Sequence, residues 1–259
     1  TGTWSLLGGY KPGELVGPAY GADFILAKTE TENFERPIEE DYWVAGIEWA
    51  ENLGAEVISS SLGYIDWYTF EDMDGQTAVT TRAANRATSL GVVVVNAAGN
   101  ERDEPWGHII APADGFDVIA CGAVDALGQI SSFSSPGPTY DGRTKPEVCA
   151  MGVNNWLAGN GYDQSDLYTN GSGTSFSTPL VAGVAALLLE IHRDWTPGQV
   201  RQALLTTASL SQYPNNDYGW GIVDAALAAD IGWASLVLDG TTVRSKEHTS
   251  EHQTPSVIS

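Results

Sequence analysis

The run Gly173-Thr174-Ser175-Phe176-Ser177-Thr178-Pro179 opens a helix that reads on to about His192. Its apolar residues go nearly all the way round, through Val181, Ala182, Val184, Ala185, Leu187, Leu188 and Leu189. A helix of that kind is packed on most sides and belongs at the centre of a layered fold. A glycine turn delivers Ser175 to its start, where unpaired N–H groups and a partial positive charge gather. An oxyanion formed there is stabilised. A plain Ser N-cap would give the same residue with no chemistry. Pro179 is tolerated in the first turns. A Gly-x-Ser-x-Gly elbow does not fit, because Ser177 stands where its second Gly belongs.

Outward from this helix, strands and helices alternate, which predicts an α/β fold: three layers, a mostly parallel central sheet and helices on both faces. Phe24 to Lys28 reads as a strand, about Glu39 to Leu53 as a helix stopped by Gly54, and Val57 to Leu62 as a strand. A helix from about Thr77 to Leu90 ends at Gly91. Val92 to Val95 is four valines, the mark of a strand buried on both faces, and Val118 to Cys121 repeats the pattern. Thr196-Pro197-Gly198-Gln199 opens a helix with a capping box and Pro in its first turn. Another short helix starts near Asp224. Residues 1–235 form one domain on this reading, and 236–259 a polar tail or linker.

The chain has 259 residues, 42% hydrophobic and 17% charged, enough to bury a core without staples. Its 12 Lys+Arg against 33 Asp+Glu give a net charge of −21, which repels phosphate backbones and anionic membranes, so neither nucleic acid nor membrane is expected as a partner. No run of about eighteen apolar residues is present. The start has no basic region followed by an apolar core, so no signal peptide is expected in it. Cys121 and Cys149 lack zinc spacing and read as buried free thiols, with a single disulfide as the alternative.

Val92-Val93-Val94-Val95-Asn96-Ala97-Ala98-Gly99-Asn100 ends a buried strand in small residues and presents an amide. Alone it is a turn Asn. With the Ser175 run, the chain resembles the subtilisin-like serine proteases, or subtilases, from Thr1 to about Trp233. Gly173 to Pro179 is similar to the family's nucleophile motif and Ala97 to Asn100 to its oxyanion-hole motif. Ile58 to Gly63 is similar to the strand that pairs with substrate. Ser131 to Pro138 and Tyr218 to Ala225 are similar to two further signatures. The resemblance implies peptide hydrolysis by acyl transfer through Ser175, with the Ser175 N–H and the Asn100 side chain holding the oxyanion. A polypeptide substrate would lie extended along Ser61, Leu62 and Gly63, beside Ala98, Gly99 and Thr174. Small or apolar walls near Ala97–Gly99 and Ile109–Ala111 predict an apolar or aromatic residue before the cut. The resemblance also implies an extracellular setting.

The family's His opens a His-Gly-Thr motif, with an Asp earlier still. Here Gly2 and Thr3 match, but Thr1 stands at the His position, and no position matches the Asp. A threonine hydroxyl is no base near neutral pH. In the family, loss of the Ser or His lowers turnover by about 10⁶, leaving roughly 10³–10⁴ over water. The chain is therefore expected to be nearly inactive as it stands, and a pseudoprotease that binds peptides without cutting them is the alternative, with a bare structural fold as a third. His108 reads as a loop or wall residue and His192 as a helix-end residue suited to the dipole. A fold-back of Leu236-Val237-Leu238-Asp239, bringing Asp239 with His248 or His252, is a remote substitute. The resemblance places a central strand before Thr1, and the gap is expected to be filled by the tail or a second chain.

No cofactor is required and no metal ligand set is assigned, although calcium is possible by family habit. Asp72-Met73-Asp74-Gly75 resembles part of an EF-hand loop but lacks its first ligand and closing Glu, so it reads as a turn before a helix. The acidic loop from Glu30 to Asp41 reads as a solvated charge run, with a cation site as the alternative. Asn170-Gly171-Ser172 matches a glycosylation sequon and reads as incidental.

Overall fold

A computed structural model describes residues 1–31, 35–159, 167–232, 235–239 and 242–246. In chain order the elements are α1 (Gly2–Gly8), β1 (Tyr10–Lys11), β2 (Leu15–Val16), α2 (Ile38–Asn52), β3 (Val57–Ser60), α3 (Val79–Ser89), β4 (Val93–Ala97), β5 (Ile119–Val124), β6 (Val148–Met151), β7 (Asn155–Ala158), β8 (Tyr168–Gly171), α4 (Thr174–Ile191), α5 (Pro197–Thr207), α6 (Ala225–Ala229), β9 (Ser235–Asp239) and β10 (Thr242–Lys246).

The central sheet runs β3-β4-β5-β6 and every pairing is parallel. The valine run shows why. Val93 and Val95 face α4 and α5 in one core with Val181, Leu188 and Leu204, while Val92 and Val94 face α2 and α3 with Trp43, Ile47 and Ala84. Alternate side chains of β4 thus feed two cores, the two-sided burial that a period of two produces in a parallel sheet. Each fully buried Leu contributes about 1.5–3 kcal/mol. The three-layer expectation holds. α4, the one helix among the described residues long and apolar enough to cross a membrane, lies across all four strands.

Capping follows the sequence. Thr196 and Gln199 form the expected capping box of α5, with Pro197 in its first turn. Asp224 accepts from the Leu227 N–H to start α6. Gly54 and Gly91 take positive φ after α2 and α3.

Two expectations change. Phe24 to Lys28 forms no strand, and Ile25 and Leu26 stay exposed. A strand needs a neighbour to receive its N–H and C=O groups. Among the described residues β3 pairs with β4 alone, and β9 pairs with β10. In the tail, Leu236 to Asp239 is therefore used in its own antiparallel hairpin. His248 and His252 lie outside the described residues.

Candidate functional site

Gly173 begins the site. It caps α4 with φ +150°, a region that favours glycine, and its N–H donates to the Gly152 carbonyl at 2.8 Å. Ser175 is then the second residue of α4, so its amide is among those without an intrahelical acceptor. Its Oγ donates to the Ser61 carbonyl at 3.0 Å, and Ser61 Oγ donates to the Ser175 carbonyl at 2.8 Å.

The end of β4 supplies the second element. Gly99 turns at φ +111°, and a Cβ there would fall 2.7 Å from Ser135 Oγ. The turn brings Asn100 to Thr174, whose N–H and hydroxyl donate to Asn100 Oδ1 at 2.9 and 3.1 Å. Both bonds use the oxygen end of the amide, which leaves the NH₂ as the end available to a ligand.

Ser61, Leu62 and Gly63 form the opposite wall, fixed by Tyr64 N–H to the Ala111 carbonyl at 2.9 Å and by Asn96 Nδ2 to the Leu62 carbonyl at 3.1 Å. These three residues line one cleft of about 270 Å³ with Ala97, Gly99, Asn100, Ile110, Thr174 and Ser175. Ala98 is fully buried and bonded through its backbone to Cys121 and Ile110, and it is Ala97 that is among the residues lining the cleft.

Sequence reasoning missed the acidic mouth. Glu30, Glu35 and Glu101 also line the cleft. Burial, then the nearby Glu30, Glu39 and Asp66, raise the Glu35 carboxyl above its usual range. Burial, then Glu104, do the same to Glu101. The two segments lie more than sixty positions apart, and no sequence pattern links them. A second cavity, of about 510 Å³, adjoins through Glu30 and Thr31 and is lined also by Lys28, Thr29 and Tyr42.

Carboxylate oxygens of Glu30, Glu35 and Glu39 come within 4.8 Å of one another. Three hard oxygens suit calcium, but two of the three carboxylates are already engaged. Glu39 is 1% exposed and accepts from the Thr31 N–H and hydroxyl and the Arg36 N–H, while Glu30 accepts from the Tyr64 hydroxyl at 2.7 Å. The donor set is a poor fit for a bound ion. The expectation of a solvated charge run fails at Glu39, which is a buried clasp for its own loop.

The remaining candidates fall as read. Cys121 and Cys149 are free and buried, and burial pushes the Cys149 thiol up to about 12, so neither is a ready nucleophile. His108 stacks on Phe70 with centroids 3.8 Å apart, and burial lowers its pKa. His192 ends α4, stacks on Trp195 and bonds the Ala229 carbonyl. Among the described residues no His lines the cleft. Asp74 forms the predicted turn, accepting from the N–H groups of Gln76 and Thr77. Thr1 is exposed at the start of α1, and a Cβ on the next residue, Gly2, would lie 3.5 Å from Phe176 Cε1.

A parallel sheet crossed by a buried helix, with a serine at that helix's N-terminus and an asparagine amide held beside it from a strand end, defines a class of layered α/β proteins. Comparison with known proteins gives the family. The model of the subtilase family (Peptidase_S8) matches residues 5–221, and the chain belongs to that family of serine proteases. It is 38% identical over 193 residues to subtilisin E of Bacillus subtilis (strain 168), covering 72% of this chain and 44% of the relative. It is 37% identical over 183 residues to subtilisin Savinase of Lederbergia lenta, covering 71% and 60%. The chain spans less than half the length of the first relatives it matches. Among solved structures, the self-cleaved protease domain of PatA aligns with a TM-score of 0.71 at 29% identity, over 88% of this chain and 81% of that one. Fervidolysin from Fervidobacterium pennivorans, a keratinolytic enzyme related to subtilisin, aligns at 0.68 and 27%, over 88% and 35%.

Proposed function

We propose that this chain carries the nucleophile and oxyanion half of a serine endopeptidase. Ser175 Oγ attacks a peptide carbonyl, the Ser175 N–H and Asn100 Nδ2 hold the tetrahedral oxyanion, and its collapse breaks the C–N bond, so that the acyl group stays on Ser175 and the C-terminal fragment leaves as an amine carrying the proton that a base has taken from Oγ. The substrate lies extended along Ser61, Leu62 and Gly63, with an apolar or aromatic residue before the cut, against Ala97, Gly99 and Ile110. One observation carries this reading: Ser175, Asn100 and Ser61–Gly63, from three distant parts of the sequence, line one cleft.

The general base is the weak point. Thr1 stands where the family's His would act, and Ser175 Oγ donates to a backbone carbonyl that takes up no proton near neutral pH. That favours a second reading, a cleft that binds extended peptides with almost no turnover unless a base and its orienting Asp come from outside the described residues. Among the described residues one side of β3 has no strand beside it, which makes it a place for an added strand from another segment or chain. An extracellular setting follows from family resemblance, calcium is not needed by these steps, and the net charge of −21 disfavours nucleic acid and anionic membranes as partners.

Fluorophosphonate labelling separates the readings. Rapid modification of Ser175, absent in Ser175→Ala, supports the peptidase with a base in place. Slow labelling together with saturable binding of end-blocked peptides supports the binder. Neither labelling nor peptide binding overturns both.

A further inference from the structure

Pro179 sits one turn into α4. It has no N–H, so the Ser175 carbonyl, four residues earlier, is denied its helix donor. The donor comes instead from another layer of the fold: Ser61, just past β3, gives its Oγ to that carbonyl at 2.8 Å. The Ser175 hydroxyl answers with its 3.0 Å bond to the Ser61 carbonyl. Other side chains pin the same turn. Thr178 Oγ1 donates to the Thr174 carbonyl at 2.8 Å, and Ser177 Oγ donates to the Ala150 carbonyl of β6 at 3.1 Å.

We propose that the Ser61 side chain is a positioning residue for Ser175. Its hydroxyl replaces the amide that Pro179 lacks and ties the first turn of α4 to the substrate-binding wall. This holds the Ser175 amide and Oγ in register with Asn100. The role rests on Ser175 being the nucleophile. It is separate from the backbone role of the Ser61–Gly63 segment, which any residue at position 61 would serve. Without the bond the Ser175 carbonyl is left unsatisfied in a half-buried site. The turn is then free to shift, and a displacement of about 1 Å at reacting groups costs on the order of 10²-fold in rate.

The test compares Ser61→Ala, Ser61→Thr, Pro179→Ala and Ser61→Ala/Pro179→Ala in the full chain, with Ser175→Ala as blank. One readout is the second-order rate of fluorophosphonate labelling at Ser175, and the other is the unfolding constant in urea. Ser61→Ala should label at least about tenfold more slowly than wild type. Ser61→Thr, which keeps the hydroxyl, should stay within about threefold. Pro179→Ala restores a backbone donor, so in that background the loss of Ser61 should change labelling by less than about threefold. In the unfolding constant, Ser61→Ala should cost roughly fivefold alone and under twofold beside Pro179→Ala. Wild-type labelling in Ser61→Ala, or equal effects of Ser61→Ala in both backgrounds, overturns the proposal. Labelling indistinguishable from the Ser175→Ala blank in every variant overturns the nucleophile reading and the positioning role with it, while the unfolding cycle still decides whether Ser61 stands in for the missing amide.

Discussion

Thr174 holds Asn100 by its oxygen: the Thr174 N–H and hydroxyl both donate to Asn100 Oδ1, at 2.9 and 3.1 Å. The amide can therefore present only its NH₂ to a negative charge in the cleft. Asn100→Ala should slow acylation of Ser175 by about 10²–10³. Asn100→Asp is the sharper variant. It keeps the acceptor for Thr174 but offers no donor and adds a charge that repels the oxyanion, so it should be at least as slow as Asn100→Ala. Labelling rates of the two variants check this, and a faster Asn100→Asp would remove Asn100 from the oxyanion site.

Position 1 offers a gain-of-function test. Thr1 precedes α1, whose Gly2 lies against Leu157 and Phe176 beside the nucleophile turn. An imidazole at position 1 would supply the base that a threonine hydroxyl cannot. Thr1→His should accelerate fluorophosphonate labelling of Ser175 by about tenfold or more, well short of a full triad because no Asp orients the ring. The gain should follow imidazole deprotonation and disappear below about pH 6. No gain at any pH would show that position 1 does not reach Ser175.

The layered fold was legible because its signals are local and redundant. The valines of β4 alternate between two cores, α4 is apolar all round, and Thr196 to Gln199 spells its own cap. α1 escaped notice because it lacks a side-chain cap bond and carries glycine at both ends, so packing against α4 is what stabilises it. Phe24 to Lys28 was misread for the opposite reason. Its composition suits a strand, but pairing depends on a neighbour that composition does not report. At the site, Ser175 and Asn100 were visible through their motifs. The Thr174 clasp on Asn100, the Asn96 prop under Leu62 and the carboxylates at the mouth join residues from separate segments and exist only once the chain is folded.

Glu39 gives a pH prediction. Hydrogen bonds from the Thr31 hydroxyl and N–H, then from the Arg36 N–H, hold its carboxyl below the usual carboxylate range. A group depressed in the folded state binds its proton more readily when unfolded. Its stabilisation is therefore complete above the ordinary value of 4.5 and is lost as pH falls through the lower folded value. Thermal melts between pH 6 and pH 3 should show wild type losing Tm more steeply than Glu39→Gln, with the variant already less stable at pH 6. Parallel curves would show that Glu39 is not linked to acid unfolding.

The most severe single change should fall at Glu147, far from the cleft. Its carboxylate accepts from Lys145 Nζ at 2.9 Å, Arg201 Nη2 at 2.8 Å and the Ala120 N–H at 2.8 Å. Lys145 and Glu147 side chains are each 1% exposed. Glu147→Gln keeps an acceptor for Ala120 but strands the buried ammonium, a loss of about 3–5 kcal/mol, or on the order of 10 °C in Tm for a chain of this size. Burial already lowers the Lys145 pKa, with Glu147 opposing that shift; without Glu147 it must fall further. A lysine depressed in the folded state binds fewer protons there than in the unfolded chain. Stability then rises with pH between the folded value and the ordinary 10.5. The deficit of Glu147→Gln should accordingly shrink as melts move from pH 7 to pH 10. Lys145→Met/Glu147→Gln, which removes the buried ammonium and leaves only the partly exposed Arg201 without its carboxylate partner, should be more stable than Glu147→Gln at pH 7. A double variant less stable than the single would mean that the Lys145 bonds to the Gly115 and Val118 carbonyls matter more than its charge.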